Sequence, residues 1–375
     1  MPWKESSPVS QRNEFVRLAS VEGANFSELC RRFGISRTAA YKWLDRYRTG
    51  DVNNLHDRSR VPHSSPGKTA AKIEAAVLQL RQQHPAWGGR KLRARLQALG
   101  HSHVPAASTI TAILRRHGRL GERAGQPRDF QRFEHPEPNA LWQIDFKGHF
   151  ALDSGRCHPL TILDDHSRYA IGLFACENER RNTVSERLIA VFRRFGLPDR
   201  ILCDNGAPWG ASESPYTELG VWLLRLGISI SHGRPYHPQT QGKDERFHRT
   251  LSVEVIQGQH FADIASCQDR FDAWRDIYNH QRPHEALSLD VPASRYRPSV
   301  RSFPERLPPL EYHDSDTVRV VQRDACIYFR SRPWKVGKAF IGERVAIRPQ
   351  VDDGKYQIVF GTIAIAQLNL HQQNA

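Results

Sequence analysis

Two apolar runs in this chain each end in an aspartate, and a later segment with helical periodicity carries a glutamate. These acidic residues are Asp145, Asp204 and Glu245. The first two follow stretches of Trp, Ile, Leu and Cys, which are typical of buried strands. Carboxylates that meet at strand ends opposite a helix can hold two divalent metal ions about 4 Å apart, which drive phosphodiester cleavage without a protein nucleophile. The pattern therefore favours a sheet-and-helix framework around a metal site.

The positive charge is concentrated in the first third of the chain. The 375 residues, enough for two to four domains, carry a formal net charge of +14. Residues 1–135 hold 24 Lys/Arg and 11 Asp/Glu, a net of +13, and the remaining residues a net of +1. This asymmetry predicts a DNA-binding N-terminal region attached to a catalytic body. A merely solubilising surface is the alternative.

The cysteines and the hydropathy pattern indicate a cytosolic protein without a membrane span. None of the six cysteines forms a CxxC pair, so we expect reduced and mostly buried thiols. No apolar run approaches the roughly 20 residues that cross a bilayer. The first residues contain no hydrophobic export region.

Residues 11–48 are predicted to form three short helices. The turn between the second and third helices reads Phe33-Gly-Ile-Ser36, and its serine can cap the third helix. This is the pattern of a helix-turn-helix, whose last helix would present Arg37, Thr38 and Lys42 to the major groove of DNA. A three-helix bundle that binds protein is the alternative.

A basic linker and a second helical module follow. Residues 51–68 are rich in Pro, Ser, Gly and basic side chains, so they either track DNA phosphates, through Arg58 and Arg60, or act as a plain spacer. Residues 69–118 repeat the helical pattern, with helices near 70–83, from 88 and over 106–117.

The second module resembles the first in its basic side chains. Arg90 and Lys91 begin a cluster of four basic residues around its second helix. We interpret it as another helix-turn-helix, because two modules in tandem read a longer DNA site than one.

From residue 140 the hydrophobic period changes to that of an α/β domain. Strands are predicted over 141–150, 159–163, 169–176, 200–203 and 228–231, and helices over 182–195, 219–226 and 242–255. This order matches a ribonuclease-H-like fold.

Four motifs in this body resemble the integrase catalytic core of retroviral integrases and many bacterial insertion-sequence transposases. They are Trp142-Gln-Ile-Asp-Phe, Asp164-Asp-His-Ser-Arg, Asp204-Asn-Gly and the run from Tyr236 to Leu251 that contains Gly-Lys-Asp-Glu-Arg-Phe-His-Arg-Thr-Leu. The two helical modules, and the absence of a retroviral HHCC zinc module, favour the bacterial transposases. The resemblance implies a metal-binding catalytic triad of Asp145, Asp204 and Glu245.

The resemblance also implies the cofactor and further contacts. The expected ions are Mg²⁺, two per active site, with Mn²⁺ as a substitute, because carboxylates are the ligands that hard cations prefer. His237, Gln239 and Lys243 are candidate contacts to the scissile phosphate or to target DNA. Asp164 and Asp165 are interpreted as turn or salt-bridge residues.

Glu245 has an acidic neighbour, Asp244, which stands where the family commonly has an apolar residue. Helical phase does not favour Glu245, since Asp244 projects closer to the side of Phe247 and Leu251. The choice of Glu245 therefore depends on the resemblance, and Asp244 remains the alternative third ligand. The 40 residues between Asp204 and Glu245 are more than the family's familiar spacing, and an insertion around 210–216 would absorb them.

The chain after the catalytic body becomes rich in short strands. A helical segment over 262–290 and a proline-rich linker precede six strand candidates, which predict a small SH3-like barrel. It would bind DNA or serve only for oligomerisation. The predicted organisation is a helix-turn-helix domain (1–50), a linker (51–68), a second helix-turn-helix domain (69–118), a linker (119–138), the catalytic core (139–290), a linker (291–310) and the β-barrel (311–375).

Together these features predict a DNA transposase of the bacterial cytoplasm and nucleoid. It would bind the ends of its element as double-stranded DNA, cleave to expose a 3′-hydroxyl and join that end to target DNA. Two ends must be held together, so a homo-oligomeric synaptic complex is expected. The alternatives are a transposase-derived regulator with an inactive core and a ribonuclease-H-like nuclease acting on RNA hybrids.

Overall fold

The computed structural model describes residues 7–50, 52–58, 67–120, 134–210, 216–232 and 242–371. They divide into two compact units, Met1–Lys68 and Thr69–Ala375.

The first unit is a three-helix bundle, as the sequence predicts. Its helices are α1 (Pro8–Ala19), α2 (Phe26–Arg32) and α3 (Arg37–Arg48). The Ser36 hydroxyl accepts a hydrogen bond from the backbone N–H of Ala39, which caps α3 at its first turn. Phe15, Val16 and Trp43 form its core with residues of α2. The outer face of α3 is thereby left to polar side chains.

The second unit begins with another three-helix module. Its helices are α4 (Ala71–Gln83), α5 (Gly89–Ala98) and α6 (Ala107–Arg116). Trp87, Leu92 and Ile110 are fully buried between them. A Cβ at Gly89 would lie 2.4 Å from the Ala107 carbonyl oxygen, so only glycine permits this close approach of α5 to α6.

The centre of the second unit is a six-stranded mixed sheet. Its strands run in the order β2-β3-β1-β5-β6, with β4 paired to the other edge of β3. Strands β1, β2, β3 and β4 pair antiparallel, whereas β1 with β5 and β5 with β6 pair parallel. The bounds are β1 (Trp142–Phe146), β2 (Phe150–Leu152), β3 (Gly155–Asp164), β4 (Ala170–Cys176), β5 (Arg200–Cys203) and β6 (Ser229–His232).

Helices cover both faces of this sheet and create two separate cores. On one face, α7 (Arg181–Phe195) and α8 (Glu218–Arg225) pack against residues such as Trp142 and Ile201. On the other, α9 (Gly242–Leu251) and α10 (Ile264–His280) pack against residues such as Leu163 and Leu173. The strand ends are therefore enclosed by helices on both sides.

The C-terminal segment forms a sheet domain with all six predicted strands. Strands β12-β11-β10-β7 make one antiparallel sheet, and β8 pairs with β9 in a hairpin. Val221 of α8 belongs to its core, so the domain packs on the central one. The bounds are β7 (Thr317–Val320), β8 (Cys326–Phe329), β9 (Arg332–Lys335), β10 (Arg344–Pro349), β11 (Lys355–Phe360) and β12 (Ile363–Asn369).

Three predicted boundaries were wrong for local reasons. The strand predicted over 141–150 is broken around Gly148, whose φ of 85° ends the extended backbone. Helix α9 gives way at Ser252 to a π-helical turn, Ser252–Ile256. The helix predicted over 262–290 ends at His280, three residues before Pro283. Within the described part of the chain, no helix is both long and apolar enough to cross a bilayer.

Candidate active site

The two aspartates predicted at strand ends lie side by side in the sheet. Strands β1 and β5 are parallel, with Trp142 opposite Ile201 and Gln143 opposite Leu202. Continued along both chains, this register brings Asp145 level with Asp204, one residue beyond the end of β5. Side chains at paired positions of parallel strands point to the same face. The two carboxylates therefore belong to one site.

The charges of this pair are unfavourable in the metal-free protein. Burial, and then the neighbouring Asp204, raises the pKa of Asp145 to about 6. Burial also raises the pKa of Asp204, and its Oδ1 has no hydrogen-bond partner among the described residues. Carboxylates whose pKa values are raised by burial and mutual repulsion are typical of functional sites.

Buried polar contacts anchor the first turn of α9 to the sheet. The Lys243 ammonium forms an ion pair with the fully buried Asp165. Asp165 also accepts a hydrogen bond of 2.7 Å from the Gln143 amide and one of 2.9 Å from the backbone N–H of His135. Gln143 lies two residues before Asp145 on β1, so this network ties α9 to the strand that carries the first aspartate.

The structure clarifies the role of the Asp164-Asp165 turn. Asp164 Oδ1 accepts hydrogen bonds from the backbone N–H and the hydroxyl of Ser167, at 2.8 and 2.5 Å. Together with the Lys243–Asp165 ion pair, these contacts confirm that both aspartates are turn and salt-bridge residues. Lys243, predicted as a phosphate contact, forms an ion pair with Asp165, and its contact with DNA stays a prediction.

Asp244 and Glu245 occupy different surroundings on α9. Asp244 is 1% exposed, and its Oδ1 has no hydrogen-bond partner within the described ranges. Burial, and then Asp145, raises the pKa of Asp244 well above its usual range. Glu245, one residue on, is exposed. The helical phase expected from the sequence is therefore confirmed: Asp244 faces the core.

Helix geometry shows which side of α9 carries Glu245. Successive residues are separated by about 100° around a helix, so Lys243 and Glu245 lie on opposite flanks of Asp244. The Lys243 flank is bound to Asp165. The Glu245 flank also carries His248, three residues on, and His248 contacts Thr161 beside Asp145. Glu245 thus lies on the flank of α9 that also contacts Thr161, and it is exposed there.

The donor set suits a hard cation, although the three predicted ligands are not gathered around one point. Among the described residues, no group of three His, Cys, Asp or Glu side chains is already arranged to hold a metal ion. Asp145 and Asp204 nevertheless provide two adjacent carboxylates and one unpaired buried oxygen. Oxygen donors of this kind fit Mg²⁺.

The predicted DNA contacts of the first unit are accessible. Arg37, Thr38 and Lys42 are exposed on one side of α3, and Arg37 donates a hydrogen bond to the Ser27 hydroxyl. Arg58 is also exposed. Three further predicted contacts, Arg60, His237 and Gln239, lie outside the described residues.

The predicted contacts of the second module lie near charged and polar groups of the catalytic body. Arg90 pairs with Glu285 at 3.3 Å while most of its side chain remains exposed. Burial, and then Arg282, lowers the pKa of Lys91 to about 8. Arg95 donates a 2.9 Å hydrogen bond to the Gln281 side chain. Arg90 and Arg95 of α5 thus bind this module to the segment after α10.

Family models match most of the chain, in segments that partly overlap. Residues 135–238 and 226–292 each match an integrase core domain, and residues 316–375 match the C-terminal domain of the IS481 family transposases. The chain is an insertion-sequence transposase with an integrase-like core. Ahead of that core, residues 11–63 match a helix-turn-helix domain and residues 39–114 a homeodomain-like domain. The predicted helix-turn-helix, ribonuclease-H-like and C-terminal β-sheet parts of the transposase are therefore confirmed.

The similar proteins are distant in sequence. The transposase is 24% identical over 279 residues to an uncharacterized protein of insertion element IS407 from Burkholderia multivorans, covering 72% of this chain and 91% of that protein. It is 23% identical to an uncharacterized protein of insertion element IS476 from Xanthomonas euvesicatoria, covering 77% and 78%. A chain in the cryo-EM structure of the simian T-cell lymphotropic virus intasome in complex with PP2A regulatory subunit B56 gamma has a TM-score of 0.40 at 16% identity, covering 78% and 95%.

Proposed function

We propose that the transposase catalyses metal-dependent cleavage at the 3′ ends of its element and transfers those ends into target DNA. The metal ligands would be Asp145, Asp204 and Glu245. The observation that carries this proposal is the shared level of Asp145 and Asp204 on adjacent parallel strands, beneath a helix whose exposed flank carries Glu245.

The metal ions and the protein would have separate tasks in this reaction. Two bound Mg²⁺ ions would supply activation of the attacking oxygen and stabilisation of the leaving oxygen, with Mn²⁺ as a substitute. The protein holds the carboxylates at fixed positions: Asp145 and Asp204 through the sheet, and Glu245 through the anchored first turns of α9. The exposure of Glu245 leaves room for a DNA strand beside it.

The basic N-terminal parts would recognise the element ends. We assign end recognition to Arg37, Thr38 and Lys42 on α3, with Arg58 and Arg60 following the DNA backbone. Arg90, Lys91 and Lys243 would provide further contacts to DNA. His237 and Gln239, in the segment before α9, would meet the scissile or target strand.

Cleavage and joining of two element ends call for more than one copy of the chain. We propose a homo-oligomeric synaptic complex on double-stranded DNA in the bacterial cytoplasm and nucleoid. The C-terminal sheet domain would form an SH3-like barrel. This barrel would contact DNA or a neighbouring copy of the chain. Its fit to the IS481 family transposase C-terminal model supports a role shared with other transposases.

The proposal is tested with the DNA that flanks the gene. End-labelled flanking fragments are incubated with the purified full-length chain, supercoiled plasmid and Mg²⁺. Specific 3′-end cleavage, followed by covalent joining of the label to plasmid, is the expected result. Tight, specific binding with no cleavage in Mg²⁺ or Mn²⁺, even with both ends present, would instead identify a DNA-binding regulator with an inactive core.

Metal affinity is expected to fall under acidic conditions. The pKa of Asp145 is about 6 in the metal-free protein, and a cation binds only the deprotonated carboxylate. Mg²⁺ affinity should therefore be nearly constant from pH 7 to 8 and drop by about tenfold per pH unit below 6. Calorimetric titrations at pH 5, 6, 7 and 8 measure this, and a constant affinity across that range would contradict metal binding by a carboxylate whose pKa is raised to about 6.

Removing the basic side chains of α3 is expected to weaken recognition of the element ends. Arg37→Ala and Lys42→Ala should each cost about 1–3 kcal/mol of binding if the side chain reads a base. If the side chain contacts a phosphate, its removal should instead lower the slope of log K against log[salt] by about one. Fluorescence anisotropy at several salt concentrations separates the two cases. Arg31→Ala, an exposed arginine already paired with Glu28 on α2, is the control.

A further inference from the structure

A hydrogen-bonded chain links α9 to the backbone of Asp145. The Thr161 hydroxyl donates to the Asp145 carbonyl oxygen at 3.0 Å, and His248 Nε2 lies 2.8 Å from the same hydroxyl oxygen. A hydroxyl has only one proton, which Thr161 gives to Asp145. His248 must therefore donate from Nε2 to Thr161.

The Thr161 end of this chain is buried within the sheet. Thr161 is fully buried on β3, directly opposite Asp145 in the sheet register. Burying a threonine hydroxyl removes it from water, and this costs free energy unless the hydroxyl both donates and accepts a hydrogen bond inside the protein. His248 supplies the second partner from another element of the fold. The contact is thus specific to the position of α9.

The contact with Thr161 is a polar anchor that holds α9 over the site. A second is the ion pair between Lys243 and Asp165, five residues earlier on the helix. Glu245 lies between the two anchors. Phe247 is buried against Trp274 and Tyr278 and fixes how closely α9 packs on α10. The rotation of α9 about its own axis is then set by the polar contacts.

We propose that His248 is a positioning residue, which sets the rotation of α9 through Thr161 and thereby places Glu245 relative to Asp145. The inference rests on the proposed function of these carboxylates as metal ligands. His248 does not touch the reacting atoms. Its part is to hold a ligand where the cation needs it, as hydrogen-bonded partners of metal ligands generally do.

Two pairs of substitutions test this role. His248→Phe keeps a ring of similar size without a donor, whereas His248→Gln keeps an N–H donor. Thr161→Val keeps the shape without the hydroxyl, whereas Thr161→Ser keeps the hydroxyl. Mg²⁺ and Mn²⁺ binding is measured by calorimetry, and folding is checked by thermal unfolding without metal.

The expected result is that His248→Phe and Thr161→Val each weaken metal binding by about tenfold or more, with cleavage reduced in parallel. The double variant should be no worse than either single one, because both break the same chain. His248→Gln and Thr161→Ser should retain most of the affinity. Both variants that lose the contact should still unfold cooperatively.

Other outcomes would overturn the inference. Unchanged metal affinity in His248→Phe, while Glu245→Gln abolishes binding, would leave the carboxylate site intact and remove the positioning role. Additive losses in the double variant would show that the two side chains act separately. If the wild-type chain binds no metal, the proposed function itself fails, and that failure is visible before any variant is compared.

Discussion

Replacing Asp204 by Asn is expected to abolish metal-dependent strand cleavage, by roughly a thousandfold or more, while DNA binding is retained. The amide is uncharged and provides a poorer ligand for a hard cation. Asp145→Asn should behave alike, because the two carboxylates lie level on adjacent strands and act on the same site. Cleavage of flanking DNA fragments in Mg²⁺ gives the rate, and anisotropy gives the DNA affinity.

The same substitution is expected to stabilise the metal-free chain. The pKa of Asp145 is raised partly by Asp204, so neutralising Asp204 removes a repulsion from the folded state. Thermal unfolding should show a higher midpoint for Asp204→Asn than for wild type in EDTA. Added Mg²⁺ should stabilise the wild type but not the variant. A variant that is less stable in EDTA, and still stabilised by Mg²⁺, would show that Asp204 serves structure rather than metal binding.

Glu245→Gln is expected to abolish cleavage and metal binding, whereas Asp244→Asn is expected to retain both. The two substitutions form a matched pair, since each changes a carboxylate to an amide on the same helical turn. Glu245 is exposed on the flank shared with His248, and Asp244 is buried beneath the helix. Calorimetric metal titration and strand cleavage, measured on both variants, decide between them.

Asp244→Asn is also expected to raise stability at neutral and alkaline pH. Burial and Asp145 raise the pKa of Asp244, so the folded chain retains a proton that the unfolded chain releases above about pH 4. Stability contributed by this group is therefore present at low pH and lost as the pH rises. The neutral amide has no such loss. Urea unfolding in EDTA at pH 5 and pH 8 should show a gain that is larger at pH 8.

The opposite pattern would assign the third ligand to Asp244. Loss of cleavage and metal binding in Asp244→Asn, with both retained in Glu245→Gln, would mean that α9 offers its buried carboxylate to the cation. The electrostatic coupling of Asp244 to Asp145 makes this a real alternative on physical grounds.

The strand-end aspartates could be predicted from the sequence because their local signals are strong. The run ending at Cys203 is short, apolar and bounded by a turn, and it forms β5 over the predicted residues. That the two aspartates occupy paired positions on adjacent strands could not be predicted in this way. It depends on which strands pair and in which register, and a hydrophobic pattern of period two is satisfied by many pairings.

The supporting contacts were harder to foresee, although the sequence contains a signal for them. Gln143 and Thr161 are polar residues within apolar strands, and such residues need buried partners. Their partners, Asp165 and His248, are 22 and 87 residues away along the chain. The helical phase of α9 was predictable, since Phe247 and Leu251 mark its buried side. The docking of Lys91 against the body was not, because a basic cluster on a helix equally predicts a DNA-facing surface.

The most direct measurement is nicking of supercoiled plasmid by the wild-type chain, which requires no knowledge of the element ends. Protein and plasmid are incubated with Mg²⁺, with Mn²⁺ or with EDTA, and Asp204→Asn and Glu245→Gln are run alongside. We expect nicking in either metal, none in EDTA and none with either variant. Nicking that persists in EDTA or in both variants would contradict a carboxylate-held metal site at Asp145, Asp204 and Glu245.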